Sequence, residues 1–220
     1  MSRRLFIAGA HTDVGKTYAA CAILLEASAA GRSVQALKPV VSGFDPADWA
    51  ESDPGRILSA LGRPLTVAEL DAVSPLRFVA ALSPPMAARL EGVDLRVEAL
   101  DRFCREGLAA SKADLTLVEG VGGVMSPIAE DATGLDLMIA LGLPSVLVGG
   151  SYLGGVSHTL TAIETLRARG LAIETVVVSQ DASPDAPDFE QTVESVARFA
   201  GGLRVIAARR SDEAWARALL

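Results

Sequence analysis

The stretch Arg3–Thr17, RRLFIAGAHTDVGKT, decides the fold. Leu5-Phe6-Ile7-Ala8 is a short apolar run that breaks into a loop at Gly9, and Gly15-Lys16-Thr17 opens a long helical pattern. A strand, a glycine-framed loop and a helix N-terminus make a phosphate cradle, because backbone N–H groups and the helix dipole face the anion. In that reading Lys16 reaches the β- and γ-phosphates, and the Thr17 hydroxyl takes a position on Mg²⁺. Five residues separate Gly9 from Gly15, and Ala10 stands where the general motif, with about four, has its first glycine.

Working outward, Tyr18–Ala30 is apolar nearly all round and stops at Gly31, which suits a helix packed between a sheet and its neighbours. Val34–Leu37 reads as a second strand, expected beside the first, and runs into Lys38-Pro39-Val40-Val41-Ser42-Gly43. Residues 44–51 form an acidic, tryptophan-bearing loop, and Ser52-Asp53-Pro54 is a helix entry. Prolines at 64, 75, 84 and 85 make residues 63–85 mostly loop, with one short helix near 67–72. Helices are expected at 85–91 and 95–111, then a buried strand at 114–119 followed by Gly120-Val121-Gly122-Gly123. Beyond it come a helix at 135–141, a strand at 145–148, a helix at 156–169 and a strand at 173–178. A helix at 189–199, a short strand at 203–207 and a closing helix at 211–220 complete the pattern. Strands alternating with crossover-length helices predict one α/β domain over residues 1–220, a doubly wound parallel sheet with helices on both faces. Ligands of such sheets bind at the carboxyl ends of the strands, where every candidate residue here falls.

Composition narrows the class. At 220 residues the chain can bury one substantial core, and no apolar run approaches the roughly 20 residues of a membrane span. The net charge of −7 argues against a nucleic-acid-binding face. The first strand begins almost at once, so no secretory leader is expected, and Cys21 and Cys104 read as packed thiols in a reducing cytoplasm.

Two strand-end residues carry further chemistry. Glu119 closes a buried strand, where the acid of a phosphate-loop enzyme orients Mg²⁺, although Asp is the usual residue. The glycines after it permit close approach of backbone to a γ-phosphate. Lys38 leaves its strand before a stiffening proline, and a reaction that builds negative charge beside a triphosphate needs a second fixed cation.

Over Gly9–Thr17, Lys38–Gly43, Ser52-Asp53 and Val118–Gly123 the sequence resembles the dethiobiotin synthetase family, ATP-dependent carboxylases of biotin biosynthesis. The lengthened phosphate loop is that family's form of the motif. The resemblance implies a P-loop NTPase fold of the MinD/ParA-like branch. It implies conversion of 7,8-diaminononanoate, CO₂ and ATP to dethiobiotin, ADP and phosphate, through a carbamate and a carbamic-phosphoric anhydride. By the same resemblance Lys38, Lys16 and Thr12 are catalytic, and Thr17, Asp53 and Glu119 hold Mg²⁺. Asp13, Val14, Gly15, Lys16, Thr17, Tyr18, Asp53, Glu119, Gly120, Val121, Gly122 and Gln180 surround the nucleotide. Thr12, Asp13, Lys38 and Ser42 contact the diamine or carbamate. Asp45, Asp48 and Glu51 stand close to Asp53, whose place in a Ser-Asp pair opening a helix selects it. Family members are homodimers in which the partner helps hold the substrate carboxylate, and Gly154 and Ser157 match that segment. Neither His11 nor His158 receives a role. Gln180-Asp181 replaces a common Asn-Asp, and a proline is missing near Ile206-Ala207-Ala208, so triphosphates other than ATP enter consideration. The second reading is a MinD/ParA-type nucleotide switch that dimerises on protein partners. Its extra early loop lysine is absent here.

Overall fold

The computed structural model describes residues 2–220. In chain order, β1 (Arg3–Gly9) feeds α1 (Lys16–Ala29), β2 (Val34–Leu37) and β3 (Val40–Ser42). A 3₁₀ turn at Trp49–Glu51 precedes α2 (Asp53–Ala60), α3 (Val67–Val73), β4 (Leu76–Phe78), α4 (Pro84–Leu90) and α5 (Val97–Ala110). Then come β5 (Leu115–Glu119), β6 (Pro127–Ala129), β7 (Ala132–Thr133), α6 (Gly134–Leu141), β8 (Ser145–Gly150) and α7 (Gly155–Ala168). The chain closes with β9 (Ile173–Ser179), α8 (Phe189–Phe199), β10 (Val205–Ala208) and a 3₁₀ segment, Glu213–Leu219.

The central sheet has the order β10-β9-β8-β1-β5-β2 and is parallel throughout. The strand pleat distributes β1 between two apolar layers. Leu5 and Ile7 join the layer of Ile23 and Leu24 in α1 and Ile57 and Leu58 in α2. Phe6 and Ala8 join the layer of Leu100 in α5, Met138 in α6 and Ile163 in α7. Both faces are thus covered, as a parallel sheet requires.

One expectation about neighbours is corrected. β2 does not flank β1: β5 lies between them, with Leu115 opposite Arg3 on one side and Val34 on the other. The chain leaves β1 in one direction for β2, and β8 sits on its opposite side, which makes β1 the switch point. A crevice opens at the carboxyl ends of strands at such a point. Lys38, Glu119 and the loop after β1 all emerge there.

Other departures are local. The region 63–85 contains the strand β4, which pairs in parallel with β3, and β6 and β7 form a small antiparallel hairpin. The closing helix is 3₁₀ rather than α. Asp212 caps it at Ala214 N–H, and the few residues remaining are too short for an α-helix to hold itself.

The first residue of α2 is Asp53, so the entry of this helix sets where that carboxylate stands. Ser52 caps it by accepting from the Gly55 N–H at 3.4 Å, and Pro54 fits the first turn. Gly55 has no room for a side chain: a Cβ there would stand 2.4 Å from the carbonyl oxygens of Trp49 and Ala50. Gly55→Ala is expected to displace the 3₁₀ turn and cost about 1–3 kcal/mol. Urea unfolding that matched the parent would remove this constraint on Asp53.

Candidate active site

The loop from Ala10 to Val14 leaves the carboxyl end of β1, and Gly15 closes it with φ 93° at the N-terminus of α1. No side chain caps that helix, so its first N–H groups stay open toward the loop. Gly9 is required for a different reason. A Cβ on it would meet the Lys16 side chain at 2.8 Å and the Gly122 carbonyl at 2.8 Å, so its absence lets Lys16 fold back over the loop. There the Lys16 ammonium donates to the His11 carbonyl at 3.3 Å.

Beneath the loop lies a buried ion cluster. The Lys38 Nζ is 2.6 Å from Glu119 Oε1 and 2.9 Å from Asp53 Oδ2, and it also donates to the Gly120 carbonyl at 3.4 Å. Thr17 donates its hydroxyl to the same Glu119 oxygen at 2.6 Å. Lys38 is 0 % and Glu119 1 % exposed, whereas the Asp53 side chain is 43 % exposed and forms the cluster's open side. The other carboxylate oxygen, Glu119 Oε2, is buried with no hydrogen-bond partner. Thr17, Asp53 and Glu119 therefore gather at one point, and of the neighbouring acids Asp45 turns to the Ala47 N–H and Glu51 to Arg56.

Two cavities open among the loops at the same rim of the sheet. Thr12, Asp13, Ser42, Val121 and Gly122 line one of about 370 Å³, closed opposite by Ala81–Pro84 and Ser126. Asp13, Val14 and Gln180 line the other, about 430 Å³, together with Gly150, Tyr152, Ser179 and Arg210. Tyr18 faces the guanidinium of Arg210. Gly154 and Ser157, at the N-terminus of α7, line neither cavity. Sequence reasoning missed the Ala81–Pro84 wall, Ser179 and Arg210. The available signal was position, since Ser179 ends β9 and Arg210 follows β10 at the same rim of the sheet.

The electrostatics of the two lysines differ. Burial lowers Lys38, but Glu119 and Asp53 outweigh it and hold its ammonium above the ordinary lysine range. Lys16 has no such partner at contact distance. Burial, and then the charge of Lys38, bring it down to about 8. Burial also opposes ionisation of Asp53, but Lys38 prevails and keeps that carboxyl below its usual value. Glu119 is pushed up, by burial and then by Asp53, against the pull of Lys38. Cys104 is fully buried, and its thiol is pushed up to about 12, which makes it inert.

Known proteins supply the family. Residues 3–209 match the model of an AAA domain family. The chain is 58% identical to the ATP-dependent dethiobiotin synthetase BioD of Phenylobacterium zucineum, over 98% of this chain and 93% of that protein. The protein of the same name from Caulobacter vibrioides is 53% identical over 95% and 93%. The chain belongs to the dethiobiotin synthetase family. It is accordingly an ATP-dependent ligase that forms carbon–nitrogen bonds. Among solved structures, the MinC:MinD cell division complex of Aquifex aeolicus covers 99% of this chain and 86% of its own, at 12% identity and a TM-score of 0.56. That likeness shows the P-loop NTPase fold alone, so the nucleotide-switch reading keeps only a structural relation, and family membership decides for the ligase.

The lowered Lys16 gives a pH prediction. A triphosphate beside Lys16 favours its charged form and raises its pKa from about 8. Binding should therefore take up protons above pH 8, and affinity should fall with rising pH by up to about tenfold per unit until the bound-state pKa is reached. Calorimetry in buffers of different ionisation enthalpy measures the uptake. A proton count near zero at pH 8–9 would count against it.

Proposed function

We propose that this enzyme carries out the family reaction on one continuous chain, with Mg²⁺, at the rim where β1, β2 and β5 end. One amine of 7,8-diaminononanoate captures CO₂ as a carbamate, and a carbamate oxygen takes the γ-phosphoryl group of ATP. The second amine then attacks the anhydride, closes the cyclic urea and expels phosphate. The observation that carries this reading is the buried Lys38, fixed by Glu119 and Asp53 and sharing the Glu119 oxygen with Thr17 of the phosphate loop's helix.

Each role has a physical reason. Lys38 and Lys16 place two cations where a carbamate gathers negative charge, and nearby cations also lower an amine's pKa, which keeps the attacking amine neutral. Thr12, Asp13 and Ser42 orient the diamine. Ring closure needs no protein nucleophile, because a held vicinal diamine has a high effective molarity. Glu119 Oε2, buried and unpartnered, is the kind of oxygen a cation would satisfy. Thr17, Asp53 and Glu119 fit Mg²⁺, which takes one or two carboxylates and leaves its other positions to phosphate and water. When bound there, the ion neutralises charge on the β- and γ-phosphate oxygens.

The substrate's far carboxylate is assigned to the N-terminus of α7 of a second copy in a homodimer. That helix has 14 residues, a glycine N-cap, no side-chain cap and no acid in its first turn, so its open N–H groups favour an anion. Gly154 and Ser157 lie there, and the adjacent Leu153 is 88 % exposed, as a residue covered by a partner would be in one copy alone. A cytoplasmic setting suits a substrate set of soluble metabolites. Among the described residues no helix is long and apolar enough to cross a membrane.

Incubation with diaminononanoate, labelled bicarbonate, Mg²⁺ and ATP should yield labelled dethiobiotin, and no label in product would end the reading. Lys38→Gln should lower turnover about a hundred- to thousandfold while ATP affinity stays within about threefold. Normal turnover in a folded Lys38→Gln enzyme would remove Lys38 from the mechanism. Glu119→Gln should raise the Mg²⁺ concentration needed for half-maximal rate, which a magnesium titration reads directly.

A further inference from the structure

The phosphate loop holds a backbone conformation that its own backbone hydrogen bonds do not explain. Asp13 has φ 56°, and among the described residues it is the one non-glycine residue in the left-handed region. Such a conformation persists only where the surrounding structure fixes it. Yet among the described residues no backbone N–H of residues 11–15 donates to a protein atom. Donors kept open for an anion cannot also hold the loop, so side chains have to.

His11 supplies the hold. Its Nδ1 lies 2.8 Å from the Thr12 carbonyl oxygen. A carbonyl only accepts, so Nδ1 carries the proton and donates. The imidazole in turn is one corner of a triangle of rings. It stacks on His158 with 5.1 Å between centroids and 8° between planes, and its centroid is 5.6 Å from that of Tyr152. Tyr152 and His158 are also 5.6 Å apart, and the Tyr152 hydroxyl is hydrogen-bonded to His158 Nδ1 at 2.8 Å. All three separations fall in the range in which aromatic rings attract. Both partners stand on anchored backbone: His158 is in the first turn of α7, and the Tyr152 carbonyl accepts from the Gly155 N–H at 2.8 Å. Gly150, at the end of β8, leaves the necessary room. A Cβ on it would stand 2.9 Å from the Tyr152 ring and 3.0 Å from Val14 Cγ2.

The peptide between Thr12 and Asp13 is trans, so its N–H points opposite to its carbonyl. Holding the Thr12 oxygen at the imidazole therefore turns the Asp13 N–H to the other side. We propose that His11 is a positioning residue: clamped by Tyr152 and His158, it sets the Thr12–Asp13 peptide so that the Asp13 N–H donates to a phosphate oxygen of the bound nucleotide. The inference rests on the triphosphate-using reading of the enzyme. Without the imidazole this peptide is able to turn, and a carbonyl oxygen facing an anion repels it. His11 meets the reaction at a second point, because its own carbonyl accepts from the Lys16 ammonium at 3.3 Å.

Two variants separate the donor from the ring. His11→Phe keeps the stack and removes the N–H, whereas His11→Asn gives up the ring and keeps an N–H at the position of Nδ1. Calorimetry on the full chain with Mg²⁺ and ATP should find His11→Phe about tenfold weaker than the parent and His11→Asn within about threefold of it. In amide NMR spectra, Mg²⁺ and ATP should move the Asp13 N–H downfield in the parent and in His11→Asn, but not in His11→Phe. Parent affinity in His11→Phe overturns the proposal, and so does His11→Asn binding as weakly as His11→Phe. An Asp13 resonance that stays still in a parent protein that binds ATP overturns it without any variant. A parent protein that bound no triphosphate would fail the functional reading itself, and the inference with it.

Discussion

A lysine ammonium buried between two carboxylates is the constraint on which the rest of this structure depends. Removing charges from water is costly, and a buried pair repays that cost only when its geometry is close and its remaining atoms are matched. Lys38 meets both conditions, with Glu119, Asp53 and the Gly120 carbonyl around it. Glu119 meets only the first, since one of its oxygens is left over. Stability alone would favour an apolar pair of the same volume. The half-satisfied carboxylate therefore has no stabilising reason of its own.

The fold makes the cluster by topology rather than by local sequence. Lys38 leaves β2, Glu119 ends β5, and Thr17 opens α1 directly after the loop from β1. They meet because β5 is inserted between β2 and β1. Were β2 beside β1, as the chain order suggests, Glu119 would not lie between Lys38 and the phosphate loop. Asp53 arrives from outside the sheet, at the start of α2, whose entry is set by the Ser52 cap and by a glycine pressed against two carbonyls. The more exposed acid of the cluster is thus the one at a helix start, and Glu119, without solvent access, is the one that ends a sheet strand.

Much of this was legible in the sequence, for identifiable reasons. The amphipathic helices α5 and α8 are recoverable because burial of one face repeats every turn, and α1 because it is apolar nearly all round between the phosphate loop and the stop at Gly31. The phosphate loop is legible because few residue types permit its backbone. Lys38, Thr17 and Glu119 are legible because strand ends and glycine loops mark where a parallel sheet does chemistry. The pairs β3–β4 and β6–β7 were hidden, since two- or three-residue strands carry no period to read. The place of β5 was hidden because spatial strand order is set by crossover packing and not by the composition of any one strand. Arg210 was hidden for another reason: its place is set by contacts with Tyr18 and Gln180, which lie 192 and 30 positions away along the chain.

The two lysines also explain why nucleotide and cluster belong together. They share one small volume, and the charge of Lys38 is compensated by carboxylates while that of Lys16 is not. Without an anion, Lys16 gives up part of its hold on its proton, and folding accepts a cation that burial disfavours. The penalty is present below about pH 8 and is relieved as the pH rises toward the unfolded value, because the folded pKa lies beneath it. A triphosphate reverses the balance by giving Lys16 the partner that Lys38 already has. Part of the binding free energy is then relief of a strain already present in the free protein.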